Sequence, residues 1–448
     1  MPLRTAHLRS LLLLTLGMLV TASCSSSAED APGGAPRPGD ENHPETKPGN
    51  DGGGNDTGTV ASGCSGEALL ASLGKDRILV GAMMENETAA GAGRAFDLHY
   101  LYIAGGVFDS DAACSSCTAG CTSGGSSCAG GGCAWWGCWQ DTSQPPGDYL
   151  RGFATAAADR NQIPFITYYQ QFLSSNRQEG EQQLEALNDA NILRRYLADW
   201  RFLLEQVGNA PALLHIEPDL WGYLQFFGPS QDPRSVPAQV TSANPTDCSS
   251  HENNAAGFAR CMIAMARKYA PNAKVGLHAS PWATRTDVFL NTNASYDVEG
   301  DAQKVADYLL ALGAAETDFV TVEASDRDAG FYESNGESVW WDADNTTLPH
   351  FQQAFRWVRA VSERMNKPNV WWQLPVGNMN LPNAERRWRD NRVDYFFSHT
   401  AELAAAHSAA FLFGAGEGRQ TTPETDDGNL LAKVQTYKQA GGQPPCVE

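Results

Sequence analysis

Positive charge is scarce in this chain. Its 448 residues carry 32 Lys and Arg against 52 Asp and Glu, a formal net charge of −20. That balance argues against nucleic-acid and anionic-membrane partners and suits a neutral ligand. Long apolar runs are also few. Leu11 to Val20 is too short to cross a bilayer, and no later segment is long and apolar enough. There is no glycine-rich phosphate loop, so the usual signature of a nucleotide site is missing. No Gly-x-Ser-x-Gly elbow follows an apolar segment, which removes the hallmark of one large hydrolase class. Neither His-x-His nor His-Glu-x-x-His spacing occurs, so zinc chemistry has no local motif.

What is present begins with export. Arg4 and Arg9 precede the apolar run Leu11 to Val20, the layout of a signal peptide. The run ends Thr21-Ala22-Ser23-Cys24, which resembles a bacterial lipoprotein signal over residues 1–23, with Cys24 lipidated. Residues 24–63 are rich in Ser, Gly, Pro, Asp, Glu and Asn, with almost nothing apolar to offset ordering entropy; they read as a flexible tether. The expected location is the bacterial cell envelope, at the outer membrane or cell surface, or the secreted fraction. Membrane contact is expected only through the lipid.

Eleven cysteines fit an oxidising compartment, because ten remain for disulfides if Cys24 carries lipid. Cys64 and Cys446 lie at the two ends of the domain, and Cys248 and Cys261 bracket a loop-to-helix junction. Cys114, Cys117, Cys121, Cys128, Cys133 and Cys138 crowd one Gly/Ser-rich loop, and their pairing is open among fifteen connectivities.

Residues 64–448 form the expected folded domain. Eight short apolar segments recur there, most of them separated by stretches with helical periodicity. They are Ile78–Met83, Phe96–Ala104, Pro164–Tyr169, the Ala212–Asp219 segment, Lys274–Ala279, Asp318–Ala324, Asn369–Leu374 and Ala409–Phe413. Ile192, Tyr196, Leu197, Trp200, Leu203 and Leu204 fall on one helix face, and Val305, Leu309 and Leu312 on another. The segment between the first two strands is short and Gly/Ala-rich, so its helix is expected to be reduced or missing. The fold class is α/β, a (β/α)8 TIM barrel. Three long loops, 105–146, 220–250 and 329–348, rise over its C-terminal face, stapled by disulfides, around the site of chemistry.

The candidates then lie at strand ends. Alternation places His215 and Glu217 on one face, with Glu217 at the barrel mouth, and Thr321 with Glu323 on another, followed by Asp326. Burying an unpaired carboxyl is costly, so such residues suggest work. Two carboxyls across a cleft are the minimum apparatus for glycosidic hydrolysis: one protonates the leaving oxygen, the other attacks or activates water. Glu217 is the expected acid/base, and Glu323 the nucleophile or base, with Asp326 as its substitute. Trp221 and Trp282 are expected to line the cleft and stack on sugar faces. His215, Asp219, His278, Tyr168, Tyr169, Gln373, Asn378 and Glu417 would hold the substrate. Trp200, Trp357 and Trp388 are expected on helices, filling the space against the barrel.

Glu217-Pro218 at the end of strand four resembles the Glu-Pro of retaining barrel glycosidases, whose strand-four Glu is the acid/base. Ile216 stands where that family usually has Asn, and Gln373 stands at the strand-seven nucleophile position. Ile216-Glu217-Pro218-Asp219 also resembles a segment of family 6 cellulases. The resemblance implies a glycosidase; the expected substrate is a polysaccharide or oligosaccharide, and a monomer without cofactor is expected. Two other readings remain: a glycan-binding lipoprotein with an incomplete catalytic pair, favoured by Gln373, and a metal-dependent hydrolase. The latter has His99, His215 and His278 on strands as candidate ligands and requires the nitrogens of His215 and His278 to converge within about 4 Å.

Overall fold

In the computed structural model, residues 64–104, 122–123, 126–127, 147–171, 179–414 and 419–446 are described. The signal segment, Cys24, the tether, the six-cysteine loop with Trp135, Trp136 and Trp139, and Glu417 lie outside them. Eight parallel strands close into a barrel: β1 Leu79–Ala82, β2 Leu98–Ile103, β3 Ile163–Tyr168, β4 Leu213–Ile216, β5 Lys274–His278, β6 Phe319–Glu323, β7 Asn369–Leu374 and β8 Ser408–Phe413. Each pairs with its sequence neighbour, and β8 pairs with β1 to complete the ring. The strands are buried almost throughout, as expected for a parallel sheet covered on its outer face and filled within.

Two apolar layers hold this arrangement. Leu79, Leu98, Phe165, Leu213, Phe319, Val370 and Leu412 fill the barrel interior, and Leu69 and Leu70 of the helix Ser65–Ser72 pack against that cluster. The second layer lies between barrel and helices, where Trp200, Trp357 and Trp371 are fully buried. Trp388 does not sit on a helix; it belongs to a loop after β7, and its indole N–H donates to the Arg419 carbonyl at 2.7 Å.

Helix starts are set by short polar caps. Asp189 accepts from the amides of Asn191 and Ile192 at the head of Ala190–Val207. Asn254 and Asp297 do the same for Ala255–Tyr269 and Val298–Leu312. The helix after β1 is a short Asn86–Ala92, the reduced element expected from the spacing. Among the described residues two disulfides are formed, Cys64–Cys446 and Cys248–Cys261; Cys261 lies inside the Ala255–Tyr269 helix.

Candidate active site

Three residues of strand parity build the floor of the mouth. Register pairs His278 with Thr321 and Glu323 with Trp372, so these side chains face the interior together. His215 projects inward as expected. Its Nε2 lies 3.2 Å from His278 Nδ1, its Nδ1 3.2 Å from Thr167 Oγ1, and His278 Nδ1 also meets Thr321 Oγ1 at 3.2 Å. The two imidazoles stack with centroids 5.2 Å apart, and Trp372 stands edge-on to both. Burial holds both rings neutral; it pulls His278 down to about 3, and His215 is lowered by burial and then by His278. This is an uncharged, hydrogen-bonded pair beneath the mouth.

His99 does not join it. Its ring bonds the Met84 carbonyl at 2.9 Å and Arg160 Nη2 at 3.1 Å, and stacks against Phe153. The His215 and His278 nitrogens do converge, at 3.2 Å, as the metal-hydrolase reading requires, but His99 is not with them. Among the described residues no group of three or more His, Cys, Asp or Glu is arranged to hold a metal ion.

Glu217 departs from the expected face. Its φ is +49°, in the left-handed region, so the strand alternation stops at Ile216. The carboxyl folds over the end of β3, where Oε1 accepts from Gln170 N and Gln171 N, both at 3.0 Å, and from Tyr196 Oη at 2.7 Å. It is fully buried, and Oε2 has no hydrogen-bond partner. Burial pushes this carboxyl up to about 8, against the opposing pull of its three donors. Glu217 thus sits behind the mouth as a protonated acid rather than on its rim.

The carboxyls that border the mouth are Asp219, Glu323 and Asp326, all half-buried. Tyr102 of β2 stands among them. Its hydroxyl is held well above its ordinary value by burial, then by Tyr100, Glu323, Asp219 and Asp326. Glu323 Oε1 accepts from Gln373 Nε2 at 2.6 Å. By alternation Gln373 would point outward from β7, but its φ of +54° turns it back toward β6. Asp326 is engaged by Arg327 Nη1 at 2.6 Å and Tyr332 Oη at 2.5 Å.

Trp282 fulfils the geometric part of its expectation. It lines a cleft with Glu323, Pro281, Asp287, Leu290 and Ser325, and its ring packs on Tyr223 at 4.6 Å. Gly222 permits this, because a Cβ there would fall 2.7 Å from the Trp282 ring. Trp221 does not line the cleft. It is fully buried behind the barrel against Phe258, its indole N–H bonded to the Ile216 carbonyl at 2.8 Å. Tyr168 likewise faces the helix layer, donating to Asp199 Oδ2 at 2.8 Å and packing on Trp200. Asn378 ties loops together, donating to the Asp426 carbonyl at 3.1 Å and accepting from Asn380 N. Tyr169 does reach the mouth, with Oη 3.0 Å from Asp219 Oδ2.

The same phenol bonds Glu179, a residue that the sequence reading did not single out. Glu179 precedes a helix and belongs to no apolar segment, so neither periodicity nor motif marked it. Its carboxyl is pushed up to about 8, by burial first and then by Asp219. Several buried polar atoms around Glu323 also lack partners: Tyr100 Oη, Trp372 Nε1 and Gln373 Oε1. Such atoms ordinarily find a ligand or water.

Fold and site together define an eight-stranded (β/α)8 barrel whose mouth is lined by carboxyls and aromatic rings. Among solved structures it is similar to an endo-β-1,4-mannanase of Cellulomonas fimi, with 12% identity over 83% of this chain and 74% of that one, at a TM-score of 0.49. It is also similar to the hyperthermostable endo-1,4-β-D-mannanase of Thermotoga petrophila (11% identity, 81% and 99% covered, TM-score 0.42). Fungal β-1,4-galactanases are a third likeness (12% identity, 80% and 99% covered, TM-score 0.41). No family model and no curated relative matches the sequence. The barrel assignment rests on the closed strand pairing itself.

Proposed function

We propose that this chain is a glycoside hydrolase acting on a polysaccharide or oligosaccharide. What supports the reading is the position of two carboxyls at strand ends: Asp219 follows β4 and Glu323 closes β6, on the two strands that flank β5 in the closed barrel. The backbones of these strands therefore stand roughly 10 Å apart at two interstrand spacings. That is compatible with the about 5–10 Å between the paired carboxyls of glycosidases.

Glu323, oriented by Gln373, is the nucleophile or base, with Asp326 as its substitute. The acid comes from the segment after β4, where Glu217 and Asp219 lie. Trp282 offers a flat apolar wall to a sugar ring. Export and a lipid anchor at Cys24 would place this mouth where polymeric glycans are met. A second reading, a non-catalytic glycan-binding lipoprotein, is favoured by Gln373, an amide where retaining barrel glycosidases carry their strand-seven carboxylate.

The test is release of reducing ends from a panel of plant and microbial polysaccharides by the purified protein, with Glu323→Gln alongside. Product from the wild type that is lost in the variant supports hydrolysis at Glu323. Retention on glycan affinity gels without product from any substrate would sink hydrolysis and leave binding.

A further inference from the structure

On the β3 side of the mouth, two carboxyls meet one phenol. Tyr169 Oη bonds Glu179 Oε1 and lies 3.0 Å from Asp219 Oδ2. A phenol carries one proton, and an ionised carboxylate only accepts. With both acids ionised, Tyr169 satisfies one contact, and the other sets lone pair against lone pair. Both contacts hold only if one carboxyl keeps a proton and gives it to the phenol oxygen or to its neighbour.

The surroundings favour that state. Burial first, and then the charge of Asp219, raise Glu179. Tyr169 stays protonated, its hydroxyl raised by burial, then by Asp219 and Glu179. Glu179 and Asp219 are half-buried, whereas Glu217 is sealed. The shared proton is therefore nearer to a bound ligand than the one on Glu217.

We propose that Glu179 and Asp219, joined through Tyr169, form a proton-sharing pair that donates to the leaving glycosidic oxygen. The inference rests on the glycosidase reading above and specifies its acid. As the bond from the anomeric carbon to that oxygen breaks, its electron pair goes to the oxygen, which takes the proton of the pair. Glu323 or a water that it activates forms the new bond to carbon. The pair, left with two negative charges, recovers its proton from water, directly in the step that hydrolyses a glycosyl-Glu323 ester or from solvent.

Glu179→Gln tests this with two substrates of the same sugar: the polysaccharide that the wild type cleaves, and its 2,4-dinitrophenyl glycoside, whose leaving group needs no proton. Cleavage of the polysaccharide is expected to fall roughly 100- to 10,000-fold, while kcat/KM for dinitrophenol release from the aryl glycoside, which reports bond cleavage alone, stays within about threefold of wild type. The alkaline limb of the pH–rate profile should change with it. Tyr169→Phe, which keeps both carboxyls but removes the phenol that joins them, should shift that limb as well.

An equal loss on both substrates, or none on the polysaccharide, would overturn the donor while leaving the glycosidase intact. A wild type that cleaves neither would remove both together. Infrared difference spectra give an activity-independent reading: part of the protonated-carboxyl band present at neutral pH should disappear in Glu179→Gln. An unchanged band would also overturn the proposal.

Discussion

Replacing Glu217 by glutamine should stabilise the folded chain at and above neutral pH. The wild-type carboxyl is fully buried, with one oxygen accepting three hydrogen bonds and the other without a partner. Burial raises it from 4.5 to about 8, so the folded chain retains a proton that the unfolded chain releases. Between those two values the native state binds more protons than the unfolded state, and stability falls as pH rises. The group's contribution is complete below pH 4.5 and is lost through pH 8. At 1.36 kcal/mol per unit, the loss is about 3 kcal/mol at pH 7 and approaches about 5 kcal/mol above pH 8.

Glutamine has the same shape, keeps an oxygen for the three donors and does not ionise. The stability difference between variant and wild type should therefore be near zero at pH 4.5 and grow steadily toward pH 8. Denaturant midpoints measured across this range, with disulfides intact, read it directly. Against a total of roughly 5–15 kcal/mol for a folded domain, a change of this size is easily resolved. A difference that stays flat with pH, or a variant less stable at pH 8, would refute the claim that Glu217 is buried and protonated.

The histidine pair has the opposite sign. His278 is pulled from 6.5 to about 3, so stability is complete above pH 6.5 and lost as pH falls, by about 1.4 kcal/mol per unit. His278→Gln should make the acid limb of the stability profile shallower, and an unchanged limb would show that the ring is not buried neutral. Trp282→Ala should raise KM about tenfold with a smaller effect on kcat, as loss of a stacking wall worth about 1.4 kcal/mol. A pure loss of kcat with unchanged KM would place Trp282 outside the binding cleft.

Most of the barrel was legible because its cues are local. Seven of the eight apolar runs end within one or two residues of the observed strands, the Asn369–Leu374 run coinciding with its strand, while the Ala212–Asp219 segment runs three residues past Ile216. Polar caps such as Asp189 and Asp297 stop one element and start the next by bonds within three residues. The inward placement of His215, Thr321 and Glu323 likewise follows from a period of two.

The site was legible only in part. Glu217 and Gln373 each follow that same alternation up to the last residue of a strand, then break it with a left-handed φ. One carboxyl turns away from the mouth and one amide turns into it. Trp221 and Tyr168 were assigned to the cleft by nearness in sequence, yet hydrogen bonds to Ile216 and Asp199 hold them in the helix layer.

By itself, then, the sequence determined the strand count, the inner and outer faces of the strands, the apolar faces of two helices and the acid-rich strand ends, since each depends on neighbours a few residues away. Tertiary structure alone decided which carboxyls meet. Glu179 and Asp219 lie forty positions apart and share a phenol only because closing the barrel sets β3 beside β4. Their proton affinity is a property of that shared burial, and no linear pattern encodes it.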